Sequence, residues 1–477
     1  MPRMTTAEAL VESLLRHGFE TIYGLPGIHN DPLFDALYMA KDRLRTIHTR
    51  HEQSAAYMAL GASLVTGRPQ AYSVVPGPGF LSSTAALLTA YGLNAPVLAI
   101  SGQIRQHDID RGHGALHEIR DQKGIAQHIA KFAGRITAPH EAPGLVRDAL
   151  AAACSGRPRP AYLECAMDVW AQRAEVAFPE MPARMAAPPV DADAVEEAAK
   201  LLGAAKSPLI VVGGGAQDAS REVTALADML QAPVIAYRRG RGVVASSHPL
   251  SVTIPIGHRL WAKADAVLAI GTRFLIQHNE WGVDADLKVV RVDIDAEEHN
   301  RMRRPSVAII GDAAVVARAL LDRIPAHNAR RGSRADEIKG HRAWLAERLK
   351  DLQPQVGWLD AIRKVLPPEG IFVDEVTQAG FASRIALAVE KPRTYLSPGY
   401  QDNLGWGLGT ALGAKVARPD TPVVLVSGDG GFLFQLGELA TAVQHKIAVV
   451  AIVFDNAMYG NVRRFQEEGY GGRFIAC

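Results

Sequence analysis

Asp429 and Asn456 lie 27 positions apart, and each closes an apolar run. Thr421 to Ser427 leads into Gly428-Asp429-Gly430-Gly431, and Ile447 to Phe454 leads into Asp455-Asn456. Between them Leu436, Leu439, Ala440 and Val443 recur at helical spacing. A strand–helix–strand unit of this kind sets a carboxylate and a carboxamide at the same end of two parallel strands. Both are hard oxygen donors, and magnesium favours octahedral oxygen ligation in which phosphate oxygens usually take part. The carbonyl of Met458, two residues beyond Asn456, is within reach as a further ligand. Gly428 and Gly430 let the backbone approach a diphosphate closely. A helix expected to begin near Phe434 would aim its amides at that group. Alone, Gly-Asp-Gly is a common turn between strand and helix; the spacing to Asn456 favours the metal–diphosphate reading.

A second corner lies near the other end of the chain, at Arg50-His51-Glu52-Gln53. Leu44 to Thr49 reads as a strand, and Glu52 to Val65 as a helix whose Ala55, Ala56 and Ala59 allow close packing. A glutamate in a first helical turn is ordinarily a surface charge that offsets the helix dipole. Beside a metal–diphosphate corner it gains another use, and the two corners together suggest thiamine diphosphate. That cofactor's own aminopyrimidine removes its C2 proton when a carboxyl group engages the ring nitrogen. The carboxyl must sit in a dry place, where its proton can be shared.

These residues need a scaffold, and the chain supplies one. With 477 residues and 48% apolar content it is long enough for about three domains with large cores. Strand-like runs alternate with helical patterns, the mark of α/β folds with doubly wound parallel sheets. The expected domains are 1–178, 190–325 and 354–477. Pro179 to Pro189 is expected to form an exposed linker, and Asn328 to Arg348 a second, charged connection with helical content. In open parallel sheets ligands gather at the carboxyl ends of strands, where both corners fall. The formal charge of +2 is spread out, which argues against nucleic acid. The clusters Arg238-Arg239-Gly240-Arg241 and Arg330-Arg331 read as solvated loop charges. Cys154, Cys165 and Cys477 form no CxxC pair, as expected in a reducing cytoplasm. The N-terminus lacks a signal core. No apolar run approaches ~18 residues, so no membrane span is expected.

The chain resembles the acetolactate synthase-like branch of thiamine diphosphate enzymes. The likeness runs from Ala7 to about Phe465. Its carriers are Gly24-Leu25-Pro26-Gly27, Arg50-His51-Glu52-Gln53, Gly77-Pro78-Gly79, Asn94-Ala95-Pro96, Ser101-Gly102-Gln103, Gly437-Glu438-Leu439-Ala440-Thr441-Ala442 and the stretch from Gly428 to Asn456. The resemblance implies a pyrimidine-binding, a central and a diphosphate-binding domain. It implies Glu52 as the activating carboxyl and Asp429, Asn456 and Met458 around the metal. Gly27, Pro78, Gln378, Leu404, Gly428, Gly430, Gly431 and Met458 would contact the cofactor, with Leu404 standing where acetolactate synthases carry Met. It also implies a homodimer or tetramer with the active site at the subunit interface and a 2-oxo acid substrate.

The chain departs from that pattern in three places. Ala115-Leu116-His117-Glu118 stands where the family has Ala-Phe-Gln-Glu, so His117 is read either as a substrate-handling acid, base or anion contact or as a solvent-facing loop residue. A metal on His113 and His117 is disfavoured, because Gly112 and Gly114 oppose a helix there. Gly213-Gly214-Gly215 lacks full dinucleotide spacing, and Ile254 to Leu260 replaces the family's FAD segment, so FAD is not expected. The third domain is expected to be incomplete at Cys477, leaving the loop Ala457 to Phe465 uncovered. The leading expectation is a decarboxylase or carboligase. The alternatives are an acyl-CoA decarboxylase of the oxalyl-CoA type and a non-catalytic cofactor-binding subunit.

Overall fold

The computed structural model describes residues 1–180 and 189–477. They fall into two compact units. The first holds the described residues of Met1–Met185 with Glu375–Thr377 and Pro398–Cys477; the second holds those of Ala186–Asp374 with Gln378–Ser397.

The first unit begins with β1 (Arg3–Thr5), α1 (Thr6–Arg16), β2 (Thr21–Gly24), α2 (Asp31–Met39), β3 (Arg45–His48) and α3 (Glu52–Thr66). There follow β4 (Gln70–Val74), α4 (Pro78–Leu93), β5 (Val97–Gln103), α5 (Gln122–Gln127), β6 (Phe132–Ile136), α6 (Ala142–Cys154), β7 (Ala161–Ala166) and β8 (Arg173–Glu175). β1 pairs antiparallel with β8. The other six form one parallel sheet in the order β3-β2-β4-β5-β7-β6. The chain leaves β2 toward β3 on one side and returns to β4 on the other, so the switch-point crevice opens at the carboxyl ends of β2 and β4.

The second unit contains α7 (Ala192–Ala204), β9 (Pro208–Val212), α8 (Ser220–Leu230), β10 (Val234–Ala236), β11 (Ser251–Thr253), α9 (Ile254–Trp261), β12 (Ala266–Ile270), β13 (Lys288–Asp293), β14 (Val307–Ile310) and α10 (Ala313–Arg323). α11 (Ala335–Leu349), α12 (Gln355–Val365), β15 (Ile371–Asp374), α13 (Gln378–Ala386) and β16 (Tyr395–Leu396) complete it. Its six-stranded parallel sheet runs β11-β10-β9-β12-β13-β14, and β15 pairs in parallel with β16. At the β9–β12 switch point, a Cβ on Gly213 would lie 2.3 Å from the carbonyl oxygen of Gly271. The glycine run is thus explained by two loops packed against each other.

The chain returns to the first unit with α14 (Gly407–Ala417), β17 (Val423–Gly428), α15 (Asp429–Leu433), α16 (Glu438–His445), β18 (Val450–Phe454) and α17 (Gly460–Tyr470). α3 has apolar or small residues on every face and is buried from Ser54 to Val65, as a helix without a polar face must be. It crosses α14 at contact distance. A Cβ on Gly61 would lie 2.0 Å from the Thr410 oxygen, and one on Gly413 would lie 1.9 Å from the Met58 oxygen.

Several expectations need correction. The helix after β17 begins at Asp429, not near Phe434. Leu436, Leu439 and Val443 face solvent in this chain instead of a core. Residues expected as an uncovered loop form α17 from Gly460 onward. The connection Asn328 to Arg348 has the helical content expected of it, in α11, but it is not merely a linker, since Ile338 and Leu345 enter the second unit's core. Nor are the arginine clusters simply solvated. Arg241 is buried and donates to the carbonyls of Ser383, Arg384 and Leu387 at the end of α13; burial lowers its pKa. Arg331 donates to the carbonyls of Leu202, Gly203 and Ala205 at the end of α7, where free carbonyls favour a cation. Most of the Pro179 to Pro189 linker lies outside the described residues. Among the described residues no helix is long and apolar enough to cross a membrane.

Candidate active site

Glu52 opens α3 directly after the short turn that follows β3, with His51 as the helix cap. Gly27 and Gly79 flank the same valine. A Cβ on Gly27 would lie 2.6 Å from Val75 Cγ1, and one on Gly79 would lie 2.5 Å from Val75 Cγ2 and 3.4 Å from Glu52 Oε1. The glutamate therefore reaches the β2–β4 crevice. Its side chain is only 17% exposed and lies 4.0 Å from His51 Nδ1. No described residue donates a hydrogen bond to that carboxylate. Pro78 begins α4, preceded by Gly77 at φ 57°, and the Gly77 amide donates to Gln122 Oε1 at 2.7 Å. A partly buried carboxylate without hydrogen-bond donors, set among glycines, is suited to engage a ring nitrogen of a ligand.

His117 enters this corner from the other side. It has φ +65°, and a Cβ on Gly77 would lie 2.4 Å from its carbonyl oxygen. The ring is stacked on His29, with centroids 4.8 Å apart and planes at 22°, and its Nδ1 is buried without a partner. It is thus half-buried, not a solvent-facing loop residue. His113 instead pairs with Asp108 at 2.9 Å on the surface, and residues 112–118 are not helical.

The metal corner stands on the pairing of β17 with β18, in which Gly428 faces Phe454 in parallel register. Asp429 follows the first strand and Asp455-Asn456 the second, at one sheet edge. Asn456 Oδ1 accepts the Met458 amide at 3.2 Å and Asp455 Oδ1 the Ala457 amide at 2.9 Å, which turns the chain back toward the edge. Gly428 lies beside Thr377 and Gly431 beside Glu375, while a Cβ on Gly430 would lie 2.6 Å from the Tyr459 ring. Gly430 is thus needed for ring packing whatever else it approaches. The donors are all oxygens, as a hard divalent cation requires. Among the described residues no group of three or more His, Cys, Asp or Glu could hold a metal, so a metal here would draw on the carboxamide, backbone and ligand oxygens.

Leu404 is half-buried just before Gly405 at φ +80°. That loop is held by Glu375, whose two oxygens accept the amides of Gly405 at 3.2 Å and Gly407 at 2.8 Å. Gln378 belongs to the second unit, where its side-chain amide lies 2.9 Å from that of Gln355. Glu438, buried in α16, accepts the amides of Arg50 and His51 at 3.0 Å. It thereby fixes the turn that presents Glu52.

Three family models match the chain in series. The N-terminal TPP-binding domain of thiamine pyrophosphate enzymes covers residues 4–125, the central domain 195–320, and the C-terminal TPP-binding domain 375–477. A probable 2-ketoarginine decarboxylase of Pseudomonas aeruginosa is 33% identical over 96% of this chain and 83% of the relative. The chain is a thiamine pyrophosphate enzyme. It belongs to the acetolactate synthase-like branch: an acetolactate synthase of Arthrospira platensis is 32% identical over 99% of this chain and 86% of its own. The large subunit of isozyme 1 from Escherichia coli is 29% identical over 98% and 84%. As a thiamine pyrophosphate enzyme of this branch it has three α/β domains with parallel sheets, uses thiamine diphosphate, and catalyses decarboxylation or carbon–carbon bond formation.

Sequence reasoning gave no role to His29, Glu375 or Glu438. Glu438 lies in the Gly437 to Ala442 motif, but its partners beyond α16 are backbone amides, which carry no sequence signal. For Glu375 the one sign was a pair of adjacent acids closing an apolar strand. For His29 it was a histidine two residues after a turn glycine.

Proposed function

We propose that the protein is a magnesium- and thiamine diphosphate-dependent decarboxylase or carboligase of 2-oxo acids. When bound, thiamine diphosphate supplies a carbon nucleophile for the 2-oxo carbonyl and an acceptor for the electron pair left as carbon dioxide departs. Glu52 shares its proton with the aminopyrimidine ring nitrogen. Asp429, Asn456 and the Met458 carbonyl hold magnesium, and Gly428, Gly430 and Gly431 border the diphosphate. Gly27 and Pro78 border the pyrimidine, Gln378 and Leu404 the middle of the cofactor, and His117 handles the substrate. The working domains are 1–178, 190–325 and 354–477, in a cytoplasmic homodimer or tetramer with the site at the subunit interface.

One observation carries this reading. The Glu52 carboxylate, without a hydrogen-bond donor among the described residues, lies beside Gly79 at the switch point of a parallel sheet. A purely cofactor-storing subunit would not need it. The likeness to a probable 2-ketoarginine decarboxylase makes a guanidino 2-oxo acid the first donor to try beside pyruvate. The test is a panel of pyruvate, 2-ketoarginine, further 2-oxo acids and oxalyl-CoA, read by carbon dioxide and acetolactate. Turnover of a 2-oxo acid that needs both magnesium and thiamine diphosphate is expected. Turnover of oxalyl-CoA alone would replace this reading with an acyl-CoA decarboxylase.

A further inference from the structure

We infer that His29 is a positioning residue that fixes the ring of His117. The inference rests on the proposed role of His117 in substrate handling, and adds the group that holds its ring.

The backbone of His29 is anchored independently of His117. Its carbonyl accepts Trp170 Nε1 at 3.1 Å, and a Cβ on Gly102 would lie 2.8 Å from that carbonyl oxygen. The residue is 2% exposed. Its Nε2 lies 3.0 Å from the Leu116 carbonyl. A carbonyl only accepts, so Nε2 carries the proton and Nδ1 of the neutral ring does not. That bond ties down the peptide just before His117, at a residue whose positive φ is costly for a side chain larger than glycine. The ring of His29 covers one face of the His117 ring. Burial first, and then the neighbouring His117 ring, lower the pKa of His29. A neutral His29 can stack on its neighbour without the repulsion of two adjacent cations. One residue thus sets both the backbone and the ring plane of His117.

The test is a double-mutant cycle on the holoenzyme, using the 2-oxo acid of the panel that turns over fastest. H29F keeps a flat ring but loses the donor; H29Q keeps a donor of similar reach. H29F should lower kcat by about 10- to 100-fold, the scale of a small misplacement near the chemistry. KM and thiamine diphosphate affinity should stay within about threefold, and H29Q should recover part of the loss. In an H117Q background the H29F effect should shrink to under about threefold. Equal losses in both backgrounds, or losses that follow cofactor affinity and Tm, would overturn the inference while leaving the role of His117 standing. An H117Q variant with unchanged kcat would overturn that role and the inference with it. Independently of turnover, the His117 signal in 13Cε1-histidine NMR should move in H29F, and an unmoved signal is also fatal.

Discussion

Three glutamates in the first unit are shielded to different degrees, and their partners separate their uses. Glu375 accepts backbone amides at both oxygens, and Glu438 accepts those of Arg50 and His51. Glu52 accepts none from the described residues, so its carboxylate remains available to a ligand. E52Q should therefore slow C2 proton exchange of bound thiamine diphosphate by about 100-fold or more. Cofactor affinity by calorimetry should change little; strong weakening of binding instead would mean that Glu52 acts as an anchor. E438A has the opposite profile. It leaves two amides and the Thr441 hydroxyl without their acceptor. With about 1–3 kcal/mol for a buried group left unsatisfied, the buried Thr441 hydroxyl alone sets an expected loss of about 1–3 kcal/mol in urea unfolding. A loss of less than about 0.5 kcal/mol would count against the assignment.

At the scale of elements, the α3–α14 crossing depends on Gly61 and Gly413, where an added methyl would collide with backbone oxygens. Backbone cannot step aside as a flexible side chain can, so G413A should cost at least about 3 kcal/mol, read by thermal melting. β3 and α16 meet through His48 and His445, whose rings lie edge to face at 5.5 Å between Arg45 and Arg50. Burial lowers the pKa of both; Arg50 adds to this at His48, and His48 with Arg45 at His445. On acidification the unfolded chain takes up protons near the ordinary histidine pKa of about 6.5 while these folded rings resist them. Stability from this contact is thus present above that pH and falls below it. Tm should drop between pH 7 and 5, and less steeply in H445F; equal slopes would exclude the pair as the cause. The same scale shows what was legible in the sequence. α3 is legible to within one residue, because Glu52 to Val65 carries an unbroken run of small and apolar side chains that the fold buries from Ser54 to Val65. α15 is not, because Asp429-Gly430-Gly431 is a poor helix start by propensity and tertiary contacts impose it. The placing of Asp429 and Asn456 at the ends of neighbouring strands is legible because those strands are close in sequence. Gly405 and Gly407, held by Glu375 across 30 and 32 positions, are not, since nothing local marks such a contact.

At the scale of the whole molecule, Leu433, Phe434, Leu439 and Val443 are 64%, 55%, 41% and 79% exposed on α15, α16 and the turn between them. So much apolar surface beside the metal corner suits a second subunit. If the site is shared between subunits, Glu52 of one serves Asp429 of the other. Two inactive variants, E52Q and D429A, then make a testable pair. In a mixed dimer one site collects both defects and the other collects none. Random exchange makes about half the dimers mixed, so refolding equal amounts together should restore about one quarter of wild-type activity. If each chain instead builds its own site, every site keeps a defect and the mixture stays inactive. With a different affinity tag on each variant, sequential purification through both tags shows whether mixed dimers formed, so a silent mixture that contains them would place Glu52 and Asp429 of one chain at the same cofactor.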